Sequence, residues 1–234
     1  MMGFTDLHCH FLWGIDDGPA TEEGMHALLQ AAAKQNISRL AATPHVHPGE
    51  IPFDRDLYDQ RLEEARIYCR DNGLNLSLVS GAEINWTYNT VEALRQGRVH
   101  SLNDSEFALI ELWQEVSWYE VQSISEKILR AGFTPIFAHV ERYRCFLWQP
   151  GKAMRIKENL PVCYQMNASS LLVKGGPVFG HFVKTMLAGE GIDLISSDAH
   201  DCHRRPPVML DAYQALQGRC RAEYAEKLLH FNGV

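Results

Sequence analysis

Phe4-Thr5-Asp6-Leu7-His8-Cys9-His10 is a short, mostly apolar run that closes on two histidines one residue apart. The same arrangement, an apolar run ended by a side chain able to bind metal, recurs along the chain. Residues 38–42 lead into Thr43-Pro44-His45-Val46-His47, and 76–79 into Gly81-Ala82-Glu83-Ile84-Asn85. Residues 107–112 contain Glu111, 134–138 lead into His139-Val140-Glu141-Arg142, and 193–195 into Ser196-Ser197-Asp198-Ala199-His200. Residues 162–166 end at Asn167, which is no such ligand. Together with 4–7 these are seven strand candidates, most of them apolar throughout, as a parallel sheet buried on both faces requires.

The intervening segments read as helices. Thr21 is a candidate N-cap, followed by Glu22 and Glu23, whose charge suits a helix N-terminus. Tyr58, Leu62, Ala65 and Cys69 form one apolar stripe, Val121, Ile124, Ile128 and Ala131 a second, and Val178, Phe182 and Met186 a third. A last helix is expected after Pro207. Strand and helix alternating throughout predict a β/α barrel or an open α/β sheet. In a barrel the C-terminal strand ends converge on one face, where active sites are built.

The chain has 234 residues, with 22 Lys+Arg against 29 Asp+Glu, 46% hydrophobic residues and a formal charge of -7. Its length suits a single domain spanning residues 1–234. The acidic balance argues against a nucleic-acid partner, because phosphate contacts need a basic footprint. No apolar run approaches the ~18 residues of a membrane span. Residues 1–10 lack the charged-then-apolar pattern of a secretory signal, so a cytoplasmic location is expected. The 6 cysteines are scattered without a C-x-x-C pair, and none is followed six positions later by arginine. The Cys-x5-Arg phosphate loop of cysteine-dependent phosphatases is therefore absent, and reduced thiols are expected.

His8 and His10 are two apart in an extended segment, so both project to one side of the strand; Asp198 and His200 repeat the spacing. Imidazole with carboxylate is the ligand set of manganese, zinc or iron and not of calcium. One histidine at a strand end is usually structural. Two H-x-H pairs, a D-x-H and two isolated glutamates at successive strand ends point to a multinuclear metal site.

These motifs resemble the polymerase and histidinol phosphatase (PHP) superfamily. The narrower markers Asp16-Asp17-Gly18-Pro19, His139-x-Glu141-Arg142-Tyr143, Gln165-x-Asn167-x-x-Ser170 and Arg205-Pro206-Pro207 are similar to those of its bacterial protein-tyrosine phosphatases of the capsule and exopolysaccharide type. The resemblance runs from Asp6 to about Pro207. It implies a distorted (β/α)7 TIM-like barrel, the PHP fold, holding three divalent metal ions, manganese first, with iron, cobalt or zinc as alternatives. One ion would take His8, His10, Glu83 and Asp198. A second would share Glu83 and use Glu111 and His139, and a third would lie near Asp17, His45 and His200. Arg142 and Arg205 match the family's phosphate-holding arginines. Two departures stand beside this: Val140 where the family usually has proline, and Leu112-Trp113 where it usually has Phe-Pro.

The implied reaction is hydrolysis of phosphotyrosine by a metal-bridging hydroxide, with guanidinium forks on the phosphoryl oxygens. Asp17 or His200 would protonate the leaving group, and the sequence does not choose between them. The implied partner is the phosphotyrosine tail of a bacterial tyrosine kinase that controls polysaccharide export; nothing in the sequence sets the oligomeric state. Histidinol-phosphate phosphatase or another small-molecule phosphomonoesterase of the superfamily is the alternative. Asn167 is expected to orient a neighbouring group or to be a structural turn, and His47 to sit outside the ligand set. Arg144, Lys152 and Arg155 read equally as a substrate-docking rim or a solvated loop. Trp113 and Trp148 are the tryptophans best placed to line an aromatic cleft, with ordinary packing as the competing reading.

Overall fold

In the computed structural model, which describes residues 3–234, every expected run is a strand. The strands are β1 (Phe4–Cys9), β2 (Ile37–Ala42), β3 (His45–Val46), β4 (Ser77–Ser80), β5 (Glu83–Asn85), β6 (Phe107–Glu111), β7 (Thr134–Phe137), β8 (Cys163–Asn167) and β9 (Leu194–Ser196). All pair in parallel, in the orders β1-β2-β4 and β3-β5-β6-β7-β8-β9. The two extra strands are continuations. β2 resumes as β3 after Thr43-Pro44, where proline has no N–H for the ladder. β4 resumes as β5 after Gly81-Ala82, where a Cβ on Gly81 would stand 2.8 Å from Leu102. The continuations carry His45 and Glu83.

The last strand returns to the first. Cys9 and Ala199 form a parallel bridge, the His10 N–H donates to Ala199 O (2.9 Å), and the Asp198 N–H donates to His8 O (2.8 Å). The result is a distorted (β/α)7 barrel, interrupted where its second and third strands break.

β1 contains an irregularity that sequence spacing does not show. Asp6 pairs with Leu40 and Cys9 with Ala42, so three steps along β1 oppose two along β2. The extra residue is a bulge, which switches the face that successive side chains occupy. Leu7 therefore joins the interior cluster with Leu109, Ile136 and Leu194, and His8 and His10 also turn into the barrel one layer above it.

The helices are α1 (Glu22–Lys34), α2 (Arg55–Asp71), α3 (Thr90–Arg95), α4 (Trp118–Arg130), α5 (Arg144–Trp148), α6 (Pro150–Asn159), α7 (Pro177–Ala188), α8 (Met209–Leu216) and α9 (Ala222–Leu229). Thr21 caps α1 by accepting from the Gly24 N–H (3.2 Å). α4 begins with a reciprocal Ser117–Glu120 capping box, a device of about 1 kcal/mol. The stripe of α2 is buried as expected, and so are Val121, Ile124 and Ile128 of α4, each contributing roughly 1.5–3 kcal/mol by burial. Ala131 and Val178 are only half-buried, at the ends of their helices. The segment after Pro207 holds two helices where one was expected. It breaks because Gly218 takes a left-handed φ of +80°, a conformation open to glycine at little cost. At the N-terminal end of the barrel Phe231 packs edge-on against Phe107, with centroids 5.3 Å apart. No described helix is long and apolar enough to cross a membrane.

Candidate metal centre

The barrel's C-terminal end gathers His8, His10, Asp17, His45, Glu83, Glu111, His139, Asp198 and His200 into one pocket. The ligand atoms of all but His139 fall into three overlapping sets: His8, His10, Glu83 and Asp198; His10, Asp17, His45 and His200; and His45, Glu83 and Glu111, where His45 and not the expected His139 completes the third. Glu83 is the hub. Its Oε2 lies 3.1 Å from His8 Nε2, 3.2 Å from His10 Nε2 and 3.0 Å from His45 Nδ1, and its Oε1 lies 2.7 Å from His139 Nε2. Glu111 Oε1 stands 3.5 Å from His139 Nε2. At the mouth, Asp17 Oδ1 lies 3.1 Å from His200 Nε2 and 3.5 Å from His45 Nε2. His47 falls outside these sets, its ring 6.4 Å from that of His45.

Backbone strain aims two of these groups. His139 (φ +32°) and Asp198 (φ +53°) occupy the left-handed region, a cost of roughly 1–3 kcal/mol for each non-glycine residue. In both cases the left-handed residue follows a strand and turns its side chain back over the barrel.

Asp198 is the anchor for both arginines. Arg142 Nη2 donates to its Oδ2 and Arg205 Nη2 to its Oδ1, each at 2.8 Å, and Arg205 also approaches Asp17 (3.6 Å). Burial opposes the charge of Asp198, but His8, His10 and Arg142 outweigh it and hold the carboxyl well below the usual range. Glu83 is fully buried and nevertheless held well below its usual value by the surrounding histidines. Burial would also push the imidazoles down; Glu83 and Asp198 instead raise His8, and Asp16 and Glu83 raise His10 to about 10. His200 goes the other way, to about 4, through burial and the positive charge of His10 and Arg205.

A second layer of polar groups carries no ligand-type spacing in the sequence. Asp16 Oδ2 sits 2.6 Å from His10 Nδ1 and accepts from the His45 N–H (2.9 Å), while its Oδ1 accepts from the Gly18 N–H (3.0 Å). Gln165 Oε1 accepts from the His139 N–H (2.6 Å) and meets His8 Nδ1 (3.2 Å). Gln165 then donates to Asn167 Oδ1 (2.8 Å), and Asn167 donates to Asp198 Oδ2 (2.7 Å). Asn167 thus orients a neighbouring group, the first of its two readings, on the one strand end without a ligand-type side chain. Glu141, buried, accepts from the Asn167 N–H and the Ser170 hydroxyl, pinning the following loop. Asp16 lies next to Asp17 in the Asp16-Asp17-Gly18-Pro19 motif, but adjacency alone does not say which aspartate faces the pocket.

The donor set suits divalent cations. Glu83 Oε2, His45 Nδ1 and His200 Nε2 are buried and make no hydrogen bond among the described residues. Such orphaned polar atoms are costly unless a bound group meets them, and imidazole with carboxylate matches manganese, iron, cobalt or zinc.

Residues 4–234 match the family described as capsular polysaccharide synthesis, CpsB/CapC. The chain belongs to the CpsB/CapC family. It is 28% identical over 230 residues to the tyrosine-protein phosphatase CpsB of Streptococcus pneumoniae, covering 95% of this chain and 93% of that protein. It is 29% identical over 214 residues to the tyrosine-protein phosphatase YwqE of Bacillus subtilis, covering 86% and 78%. Among solved structures, those of YwqE from Bacillus subtilis and CpsB from Streptococcus pneumoniae, described as metal-dependent tyrosine phosphatases, share its fold. There the TM-score is 0.86 at 24% identity, covering 96% of this chain and 90% of that one. Within the CpsB/CapC barrel of this chain, Leu112 is buried, whereas Trp113 stands 44% exposed beside Trp86 and Tyr88 in a cleft of about 210 Å³. Trp148 faces a different groove, further along the rim.

Proposed function

We propose that this CpsB/CapC protein is a metal-dependent protein-tyrosine phosphatase that hydrolyses phosphotyrosine on a bacterial tyrosine kinase regulating capsular or exopolysaccharide synthesis. The observation that carries the reading is two guanidinium groups 2.8 Å from opposite oxygens of Asp198, at the edge of a pocket whose buried carboxylates and imidazoles need cations. We place the protein in the cytoplasm, with residues 1–234 forming one PHP metallophosphatase domain.

His8, His10, Glu83 and Asp198 would hold one ion, Glu83, Glu111 and His139 a second, and Asp17, His45 and His200 a third, manganese being the first choice. Bound there, the ions supply an acidified water as nucleophile and neutralise charge on the phosphoryl group. Arg142 and Arg205, each more than a third exposed, present planar forks to the non-bridging phosphoryl oxygens. Preorganised positive charge of this kind usually contributes more to phosphoryl transfer than any other single effect. A phenolate leaves more readily than an alkoxide because phenol has a pKa of about 10. Asp17 or His200, 3.1 Å apart at the mouth, would pass a proton to the leaving oxygen.

The test is to strip the protein with chelator and restore manganese, iron, cobalt or zinc separately. Turnover of a phosphotyrosine peptide is then compared with that of histidinol phosphate. Metal-dependent turnover favouring the peptide is expected. A strong preference for histidinol phosphate would overturn the substrate assignment, and no turnover of either would overturn the enzyme assignment.

A further inference from the structure

Beside the metal pocket, on the same end of the barrel, runs an open groove of about 740 Å³ between the start of α4 and the α5–α6 pair. One wall follows directly from β6 and its Glu111, the other from Arg142. The two are stitched together at the pocket's edge, where the Arg144 N–H donates to Gln114 O (2.9 Å) and the Leu112 N–H donates to the Tyr143 hydroxyl (3.0 Å). A chain lying in this groove would emerge at the mouth of the centre.

The groove is built for an extended, partly aromatic occupant. Trp148 and Tyr119 line it while remaining 67% and 87% exposed. Trp118 is fixed beneath them by stacking on Phe146 (4.8 Å, 15°). Large aromatic faces left open beside a polar rim mark contact surfaces more often than packing.

Its charge is the second observation. Arg144 is satisfied by Glu115 (3.0 Å). Lys152 and Arg155, both exposed and one helical turn apart on α6, have no carboxylate within ion-pair distance among the described residues. In a chain with a formal charge of -7, two unpaired cations on one groove wall constitute a local reversal of sign.

We propose that this groove docks the segment flanking the phosphotyrosine in the protein substrate, and that the segment it selects is acidic. The proposal rests on the phosphatase reading above and adds to it a determinant of which phosphotyrosines are chosen. A nucleic acid fits less well, since two cations do not make a phosphate track. Long-range attraction of this kind raises encounter and lowers KM without touching the chemical step.

The experiment compares two phosphotyrosyl peptides of equal length, one flanked by Asp and Glu, the other by Asn and Gln. Both are assayed on the metal-loaded wild type and on the Lys152→Glu, Arg155→Glu double variant. The expected result is a KM about three- to tenfold higher for the acidic peptide only, with kcat and turnover of p-nitrophenyl phosphate unchanged. In the wild type the preference for the acidic peptide should fade as salt rises. Equal KM values for the two wild-type peptides, or the same change for both in the variant, overturn docking by charge. Binding of the unphosphorylated acidic peptide, followed by fluorescence anisotropy, separates this proposal from the activity. Binding weakened in the double variant, in a protein that turns over no phosphotyrosine, would leave docking standing and remove the phosphatase reading. Unaltered binding in a protein that does turn over phosphotyrosine would overturn docking and leave the phosphatase reading standing. Lys152→Gln with Arg155→Gln should shift both readouts the same way by less, and no shift there counts against the proposal equally.

Discussion

The Nε2 atoms of His8 and His10 face each other across 3.2 Å. Each ring's Nδ1 is already committed, His8 to the Gln165 carbonyl oxygen at 3.2 Å and His10 to Asp16 at 2.6 Å. If both Nδ1 atoms carry the proton, both Nε2 lone pairs point at one spot beside the Glu83 carboxylate. Two ligands on one ion at about 2.0–2.1 Å would stand roughly 3 Å apart, so the separation suits a shared cation. Without metal, Asp16 and Glu83 hold a proton on His10 and raise it to about 10 despite its burial.

That substitution makes stability depend on pH in opposite senses with and without metal. In chelated protein, the raised His10 contributes stability that is fully present below about 6.5 and lost as pH climbs towards about 10. The lowered His200 contributes stability present above about 6.5 and lost as pH falls towards about 4. Thermal unfolding of the stripped protein should therefore show its highest midpoint near pH 6.5. Metal ligation needs the deprotonated imidazoles, so the added midpoint conferred by manganese should grow from pH 6 to 8. A metal increment that shrinks over that range would contradict the ligand assignment.

Asp16 should matter through His10. Asp16→Asn removes the charge that fixes the His10 proton on Nδ1 and also disturbs the acceptor of the His45 N–H. Loss of such an outer partner typically costs 10- to 100-fold in metal affinity. Competition with a metallochromic chelator should show about that loss, and unaltered affinity would argue that Asp16 serves only the loop.

Arg142→Ala and Arg205→Ala should each lower kcat for phosphotyrosine by about 10²–10³-fold while metal content, read by elemental analysis, stays at the wild-type level. Both guanidinium groups touch Asp198 from the solvent side, so loss of metal instead would show that they position the ligand and not the phosphate.

Gly18 is where the loop bearing Asp16 and Asp17 comes closest to the barrel, and a Cβ there would run into the His10 carbonyl oxygen. Gly18→Ala forces backbone movement, with an expected destabilisation of roughly 1–3 kcal/mol in denaturant titrations and weakened metal binding. A variant with wild-type stability and affinity would mean that the loop shifts freely.

Much of this protein was legible in one dimension. The seven apolar runs are all strands, because a parallel barrel strand is buried on both faces and leaves a continuous apolar signature. The groups at their C-terminal ends converge, because barrel closure brings every such end to one face. Gly218, by contrast, divides the last helix through a backbone conformation that apolar periodicity does not register.

What the amino-acid order determined is the ligand-type inventory and the strand end it stands on; spacing places His8 beside His10, whereas Asp198 and His200 lie beyond β9 and enter different ligand sets. Which face of the strand the His8 and His10 pair occupies was decided by tertiary structure. The bulge between Asp6 and Cys9 exists only in β1's register with β2, and it lets Leu7 and His8 both point inward. The choice of Asp16 as the group behind His10, the Gln165–Asn167–Asp198 relay, and the pairing of both arginines with one carboxylate likewise rest on how the closed barrel brings its strand ends together. Such contacts depend on strand order and closure, which local propensity does not encode.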